Sequence, residues 1–158
     1  MKVIIPNNTK YNILAALNYA NKKEVGGLLI GEIINYMTIE IINMTSQSKW
    51  LKSFFLRKWS RKEKKELNDI LDQYGNNFSS INYCGEWHSH PSFSLEPSNR
   101  DIKSMWELCF DVKVSANFLI LLIVKSAGKN DLQAKCYYFN KENYPIYKQV
   151  NIEFGGLI

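Results

Sequence analysis

His88 and His90 are the two histidines of the chain, and they stand two positions apart in Glu86-Trp87-His88-Ser89-His90-Pro91. Ser98 and Asp101 follow, the carboxylate eleven residues after His90. Alternate residues of a strand face the same side, so the two imidazoles project together. Two imidazoles and one carboxylate form a three-ligand set that leaves a fourth position for water, the pattern of a catalytic rather than a structural zinc. The expectation is therefore one Zn2+ per chain on His88, His90 and Asp101. Ser98-Asn99-Arg100-Asp101 also reads as a helix capping box, with Ser98 as cap and Asp101 reaching back to its amide. The two uses compete for one carboxylate, and the histidines upstream decide for metal. Glu86 shares the parity of His88 and His90. It reads as a fourth ligand, as a partner holding an imidazole tautomer, or as a paired strand carboxylate.

The elements that must position these groups follow from pattern. Lys2 to Ile5 is a short strand ended by Pro6, and Asn7, Asn8 and Thr9 are N-cap candidates for a helix to about Asn21. Gly26-Gly27 opens the apolar strand Leu28 to Ile34, and Asn35-Tyr36 turns it into the alternating strand Met37 to Ile41. Residues 52–56 carry a weaker strand signal. Ser60-Arg61-Lys62-Glu63 is a capping box before a helix with Leu67, Ile70, Leu71 and Tyr74 at helical spacing, ended by Gly75. Ile81 to His88 is the strand that delivers the imidazoles, and a helix runs from about Ser98 to Phe110. Asn117 to Lys125 is a nearly continuous apolar run, as in a central strand covered on both faces. Strands over Leu132 to Phe139 and Tyr147 to Phe154 complete the sheet. Strands and helices do not alternate strictly, so the class is α+β.

The chain's 158 residues fit one domain, 1–158, and its hydrophobic content of 46% suffices for a single core. Its apolar runs are too short to cross a bilayer and the N-terminus lacks the pattern of a secretory signal, so a cytoplasmic location without membrane attachment is expected. Cys84, Cys109 and Cys136 show no C-x-x-C spacing and read as buried free thiols, with Cys84 on the strand that leads to the histidines. The net charge is +5, concentrated at residues 57–65, where Glu63 interrupts the basic run. Such a run is a solvated helix face more often than a nucleic-acid site. Trp87 and Trp106 read as core.

The pattern His-x-His-Pro, six residues, Ser, two residues, Asp resembles the motif of the JAMM, or MPN+, zinc metallopeptidases. Upstream, Glu24-Val25-Gly26-Gly27-Leu28-Leu29-Ile30-Gly31 resembles the Glu-x-Gly-Gly segment that in this family precedes a core strand and supplies the general base. The resemblance spans residues 24 to 101. It implies an MPN/JAB fold, a curved, mixed and mostly antiparallel sheet flanked by helices. It also implies zinc on His88, His90 and Asp101, Glu24 as the base that takes a proton from water, and Ser98 as the donor to the oxyanion. Zinc lowers the pKa of bound water from ~15.7 to about 7. The glycines Gly26 and Gly27 read as a turn or as room for a substrate backbone.

A narrower similarity, in Gly85 to Pro91, Pro97-Ser98, Asp101 and Trp106, is to small bacterial JAMM peptidases that accompany ubiquitin-transfer-like enzymes in CBASS antiphage operons. It implies an (iso)peptidase that cuts after the C-terminal tail of a ubiquitin-like or cyclase (CD-NTase-type) conjugate. An extended tail of that kind is expected beside a strand edge. Two other readings are a metal-free MPN scaffold, which usually lacks ligands present here, and a RadC-like protein associated with nucleic acid. The latter group usually has a glycine after the His-Pro, where this chain has Ser92-Phe93-Ser94.

Overall fold

The computed structural model describes residues 1–47, 60–75, 77–128 and 130–155. The strand signal at 52–56 and the start of the basic run, 57–59, lie outside them. In chain order the elements are β1 (Lys2–Ile5), α1 (Asn7–Ala20), β2 (Gly26–Asn35), β3 (Thr38–Met44) and α2 (Arg61–Gln73). Then come β4 (Ile81–Ser89), α3 (Asn99–Phe110), β5 (Phe118–Ser126), β6 (Leu132–Asn140) and β7 (Lys148–Phe154). The α+β expectation holds.

The sheet closes on itself in the order β1-β3-β2-β4-β5-β6-β7. The β2/β3, β2/β4, β5/β6 and β6/β7 ladders are antiparallel, whereas β1/β3, β4/β5 and β1/β7 are parallel. The curved, mixed sheet expected from the resemblance is present, and its curvature runs to closure. Closure rests on the β1–β7 ladder from Lys2↔Asn151 to Ile5↔Phe154, a pairing of the chain's two ends that no local pattern encodes. Closing the sheet also removes whole free edges. Among the described residues, the β6–β7 ladder is short: Cys136 to Tyr138 pair with β7, whereas residues 132–135 pair with β5 alone.

Two apolar layers sandwich the central strand β5. Ile120, Leu122 and Val124 join Leu29, Trp87, Cys136 and the Ile13–Leu14 face of α1 in the interior cluster. Leu119, Leu121 and Ile123 face the other way, onto Met105, Trp106 and Cys109 of α3. This is what the unbroken apolar run implied. Each such side chain contributes roughly 1.5–3 kcal/mol by leaving water. The α2 helix lays Leu67 and Leu71 on Leu28 and Ile30. Its capping box is present: Ser60 Oγ accepts from the Glu63 amide at 3.2 Å, and the Ser60 amide donates to Glu63 Oε2 at 2.6 Å.

At α1 the expected caps are displaced. Pro6 is the N-cap and Asn7, Asn8 and Thr9 lie within the first turn. Thr9 instead donates its hydroxyl to the Ile41 carbonyl at 2.8 Å, tying the helix to β3.

One irregularity decides which face carries the imidazoles. On β4, Gly85 opposes Leu29 while Tyr83 opposes Ile30, so Cys84 is an extra residue, a β-bulge. The extra residue inverts the alternation, sending Cys84 into the interior cluster and leaving Glu86 and His88 on the opposite face. Gly85 has φ +147°, and a Cβ there would lie 1.9 Å from the Ile120 carbonyl oxygen of β5. Gly85→Ala is expected to cost about 3 kcal/mol or more, from backbone strain and loss of the β4–β5 contact. Urea unfolding checks this, and an unchanged midpoint would contradict it.

Candidate metal centre

His88 and His90 leave the end of β4, and Asp101 comes from the first turn of α3. All three are less than one-tenth exposed. His88 Nε2 and His90 Nε2 are 2.9 Å apart, and Asp101 Oδ1 is 3.7 Å from His88 Nε2. The three ligand-type atoms lie within 4.8 Å of one another. Ligands ~2.0–2.1 Å from a tetrahedral zinc are about 3.3 Å apart, and the observed separations bracket that value.

The partners of these side chains fix their protonation. His90 Nδ1 lies 2.6 Å from the Ser94 carbonyl oxygen, which can only accept, so Nδ1 carries a proton and Nε2 is the nitrogen left to face the cluster. That nitrogen faces Nε2 of His88. Burial pushes the His88 imidazole down from its usual 6.5 to about 4; the nearby Asp101 carboxylate opposes this shift and His90 reinforces it. His88 is thus suited to be a neutral nitrogen ligand.

The competition between capping and metal binding for Asp101 is resolved by its two oxygens, which corrects the expectation that one use excludes the other. Oδ2 accepts from the Ser98 amide and from the Ser98 hydroxyl, each at 2.7 Å, while the Asp101 amide donates to Ser98 Oγ at 3.2 Å. Oδ1 is turned toward His88. The helix cap therefore aims the carboxylate. Ser98 sits beside the cluster with its hydroxyl proton directed at Asp101.

Glu24 is half-buried and stands two residues before β2 begins at Gly26. The Val25 amide donates to Ser89 Oγ at 3.0 Å, and the Ser89 amide donates to the Val25 carbonyl at 2.8 Å. Gly26 pairs with His88, so the register continued by two residues sets Glu24 across from His90. Its carboxylate is not part of the ligand cluster. Glu86 is buried on the same strand but is also outside the three-residue cluster, which leaves the fourth-ligand reading without support.

Other expectations resolve structurally. Gly26 and Gly27 are the first residues of β2 rather than a turn, and a Cβ at Gly27 would lie 2.0 Å from the Thr45 carbonyl oxygen. Trp87 is fully buried and donates its indole N–H to that same carbonyl at 2.8 Å. Trp106 packs on Phe139 and Tyr144, and all three cysteines are free and buried.

A clasp around the site was not legible in the sequence. Lys135 pairs with Glu96, and the Tyr137 hydroxyl lies 2.9 Å from both the Leu95 carbonyl and Glu96 Oε2. The Lys135 ammonium and the Tyr137 hydroxyl hold the Glu96 carboxyl below its usual range. This fastens to β6 the loop that carries Ser94 and Ser98, and with it the His90 tautomer. The partners are about forty residues apart, with separations of 39 and 41, so no spacing signals them. Phe93 of this loop is 64% exposed with its ring edge-on to His90.

The depressed His88 value predicts an acid response of the metal-free protein. Between about pH 6.5 and 4 the unfolded chain binds a proton at His88 that the folded chain refuses. Stability therefore falls as pH drops through this window, by up to about 1.4 kcal/mol for each pH unit crossed, and is fully present above 6.5. Urea midpoints measured with chelator from pH 7.5 to 4.5 check this. A His88→Asn variant should lose that part of the slope, and identical slopes would contradict the assignment.

The comparisons agree with this geometry. A family model described as prokaryotic homologs of the JAB domain matches residues 6–137. A protein of Escherichia coli (strain TW11681) named CD-NTase/cGAS isopeptidase is 34% identical over 110 residues, 69% of this chain. That alignment spans 64% of the relative's own length. The solution structure of a Desulfitobacterium hafniense protein matches with a TM-score of 0.62 at 19% identity, covering 99% of this chain and 94% of that one. A JAB1/MPN domain protein from Archaeoglobus fulgidus matches with a TM-score of 0.51 at 19% identity, covering 99% and 100%. These two likenesses carry the fold. With the family model covering both Glu24 and the His88–His90–Asp101 cluster, the chain belongs to the prokaryotic JAB-domain family.

Proposed function

We propose that the protein is a zinc-dependent (iso)peptidase that cuts after the extended C-terminal tail of a ubiquitin-like or cyclase (CD-NTase-type) conjugate, reversing or trimming conjugation in bacterial antiphage defence. The observation that carries this reading is the convergence of two imidazole nitrogens and one carboxylate oxygen within 4.8 Å, with the other atoms of His90 and Asp101 already committed to the protein. The name of the Escherichia coli relative supports the substrate class. Family members can be metal-free scaffolds; the complete ligand set here favours the enzyme.

His88, His90 and Asp101 would hold the ion. Zinc, when bound, supplies Lewis acidity and lets a water ionise near neutral pH. Glu24, across from His90 and outside the ligand cluster, takes the proton from the attacking water and returns it to the leaving amine. Ser98 stabilises the oxyanion by turning its hydroxyl from Asp101 to the substrate, an effect of roughly 3–4 kcal/mol where such a donor is removed. Ser98→Ala should therefore lower kcat about 10²–10³-fold. It should also cost about 1 kcal/mol of stability as a lost cap. A thermal melt alongside steady-state kinetics separates the two. Unchanged kcat would remove Ser98 from the chemistry and leave it a cap.

The test of the reading is incubation with fusions that carry candidate ubiquitin-like or cyclase tails, with and without chelator, read by mass spectrometry. A single cut after the tail, lost with chelator and restored by zinc, is expected. No cut in any zinc-loaded reaction, or cutting indifferent to chelator, overturns it.

A further inference from the structure

Where β4 ends lies a cleft of about 350 Å3 whose lining includes Lys22, Lys23, Lys125, Asn18, Ser89 and Ser126, and none of His88, His90 or Asp101. Among the described residues, no carboxylate lines it. Lys2 pairs with Glu153 and Lys135 with Glu96. Among the described residues, Lys22, Lys23 and Lys125 form no such pair.

Three elements converge to build this cleft. Asn21 ends α1 in a left-handed conformation and Lys22 follows with φ +67°, so the chain reverses tightly and both lysines fall at the helix C-terminus, where positive charge is favoured. Ser89 and Pro91 flank the ligand His90. In the parallel β4–β5 ladder Ser89 pairs with Val124, so continuing one step sets Lys125 beside His90. Lys23 adjoins Glu24. The concentrated, uncompensated charge thus borders both the ligand strand and the candidate base.

We propose that this cleft anchors one or two carboxylate side chains of the polypeptide being cut, close to the scissile amide. The inference rests on the peptidase reading and names a feature of its substrate. The volume suits a pair of acidic side chains. A nucleic-acid backbone would need a stripe of cations along a surface rather than a bounded cleft.

The experiment uses binding, so it does not depend on turnover. A fluorescein-labelled tetraglutamate peptide and its tetraglutamine counterpart are titrated with the zinc-loaded full chain at low and physiological salt, by fluorescence anisotropy. The same titrations use a variant carrying Lys22→Gln, Lys23→Gln and Lys125→Gln, whose fold is checked by circular dichroism, and each lysine replaced singly in case the triple variant fails to fold. Tetraglutamate should bind more tightly than tetraglutamine, weaken with salt, and lose roughly tenfold in the triple variant, since exposed charge pairs contribute modestly each. Amide signals of Ser89, Lys125 and Ser126 should shift on titration. Equal binding of the two peptides, no loss in any lysine variant, or displacement by an equal charge concentration of a DNA oligonucleotide overturns the proposal. Failure of the peptidase reading shows separately, as no zinc-dependent cut in a tail fusion.

Discussion

Glu24→Gln should leave zinc content and thermal stability unchanged while lowering kcat by 10²–10⁴-fold, the usual worth of a positioned general base. The substitution keeps the side chain's shape and removes its capacity to take a proton. Zinc should stay because Glu24 lies outside the cluster of His88, His90 and Asp101. Stability should stay because the residue is half-buried at the strand entrance, and the clamp beside it, between Val25 and Ser89, involves neither Glu24 oxygen. Single-turnover cleavage of a tail fusion alongside metal analysis checks both halves. Turnover within twofold of the parent would take the base role away from Glu24.

Replacing a ligand should have a different signature. His88→Ala and Asp101→Asn are each expected to lose zinc and cleavage together. The affinity loss should exceed the 10–100-fold that follows removal of an outer-sphere partner. The Asn substitution is chosen because the carboxylate has two tasks. Its Oδ2 serves the Ser98 cap and its Oδ1 faces His88, so alanine would mix a loss of helix stability with a loss of metal. Equilibrium dialysis against buffered zinc, with the melting temperature as control, distinguishes them. Full zinc retention in both variants would mean that the metal, if any, sits elsewhere and would favour a scaffold.

What the sequence disclosed depended on how local the cause is. The caps at Ser60 and Ser98 were legible because three residues suffice to write them, and the two-sided burial of β5 was legible in its unbroken apolar run. The grouping of His88, His90 and Asp101 was legible because strand parity places the two histidines together and the cap brings Asp101 back. Properties set by distant partners were not. Barrel closure needs residues 2–5 to meet 151–154. Cys84 has the same parity as His88, yet the bulge at Gly85 turns it into the interior. The tautomer of His90 depends on a loop pinned by Lys135 and Tyr137, some forty residues further on. The division of labour within Asp101 is a matter of which oxygen points where, and only coordinates carry that.

The most direct measurement is X-ray absorption at the zinc edge on the purified, zinc-loaded protein, repeated on His90→Ala. The account predicts one ion per chain, with two imidazole nitrogens and oxygen donors at ~2.0–2.2 Å, and loss of an imidazole signal in the variant. A sulfur-rich shell, no bound zinc, or an unaltered spectrum from the variant would contradict it.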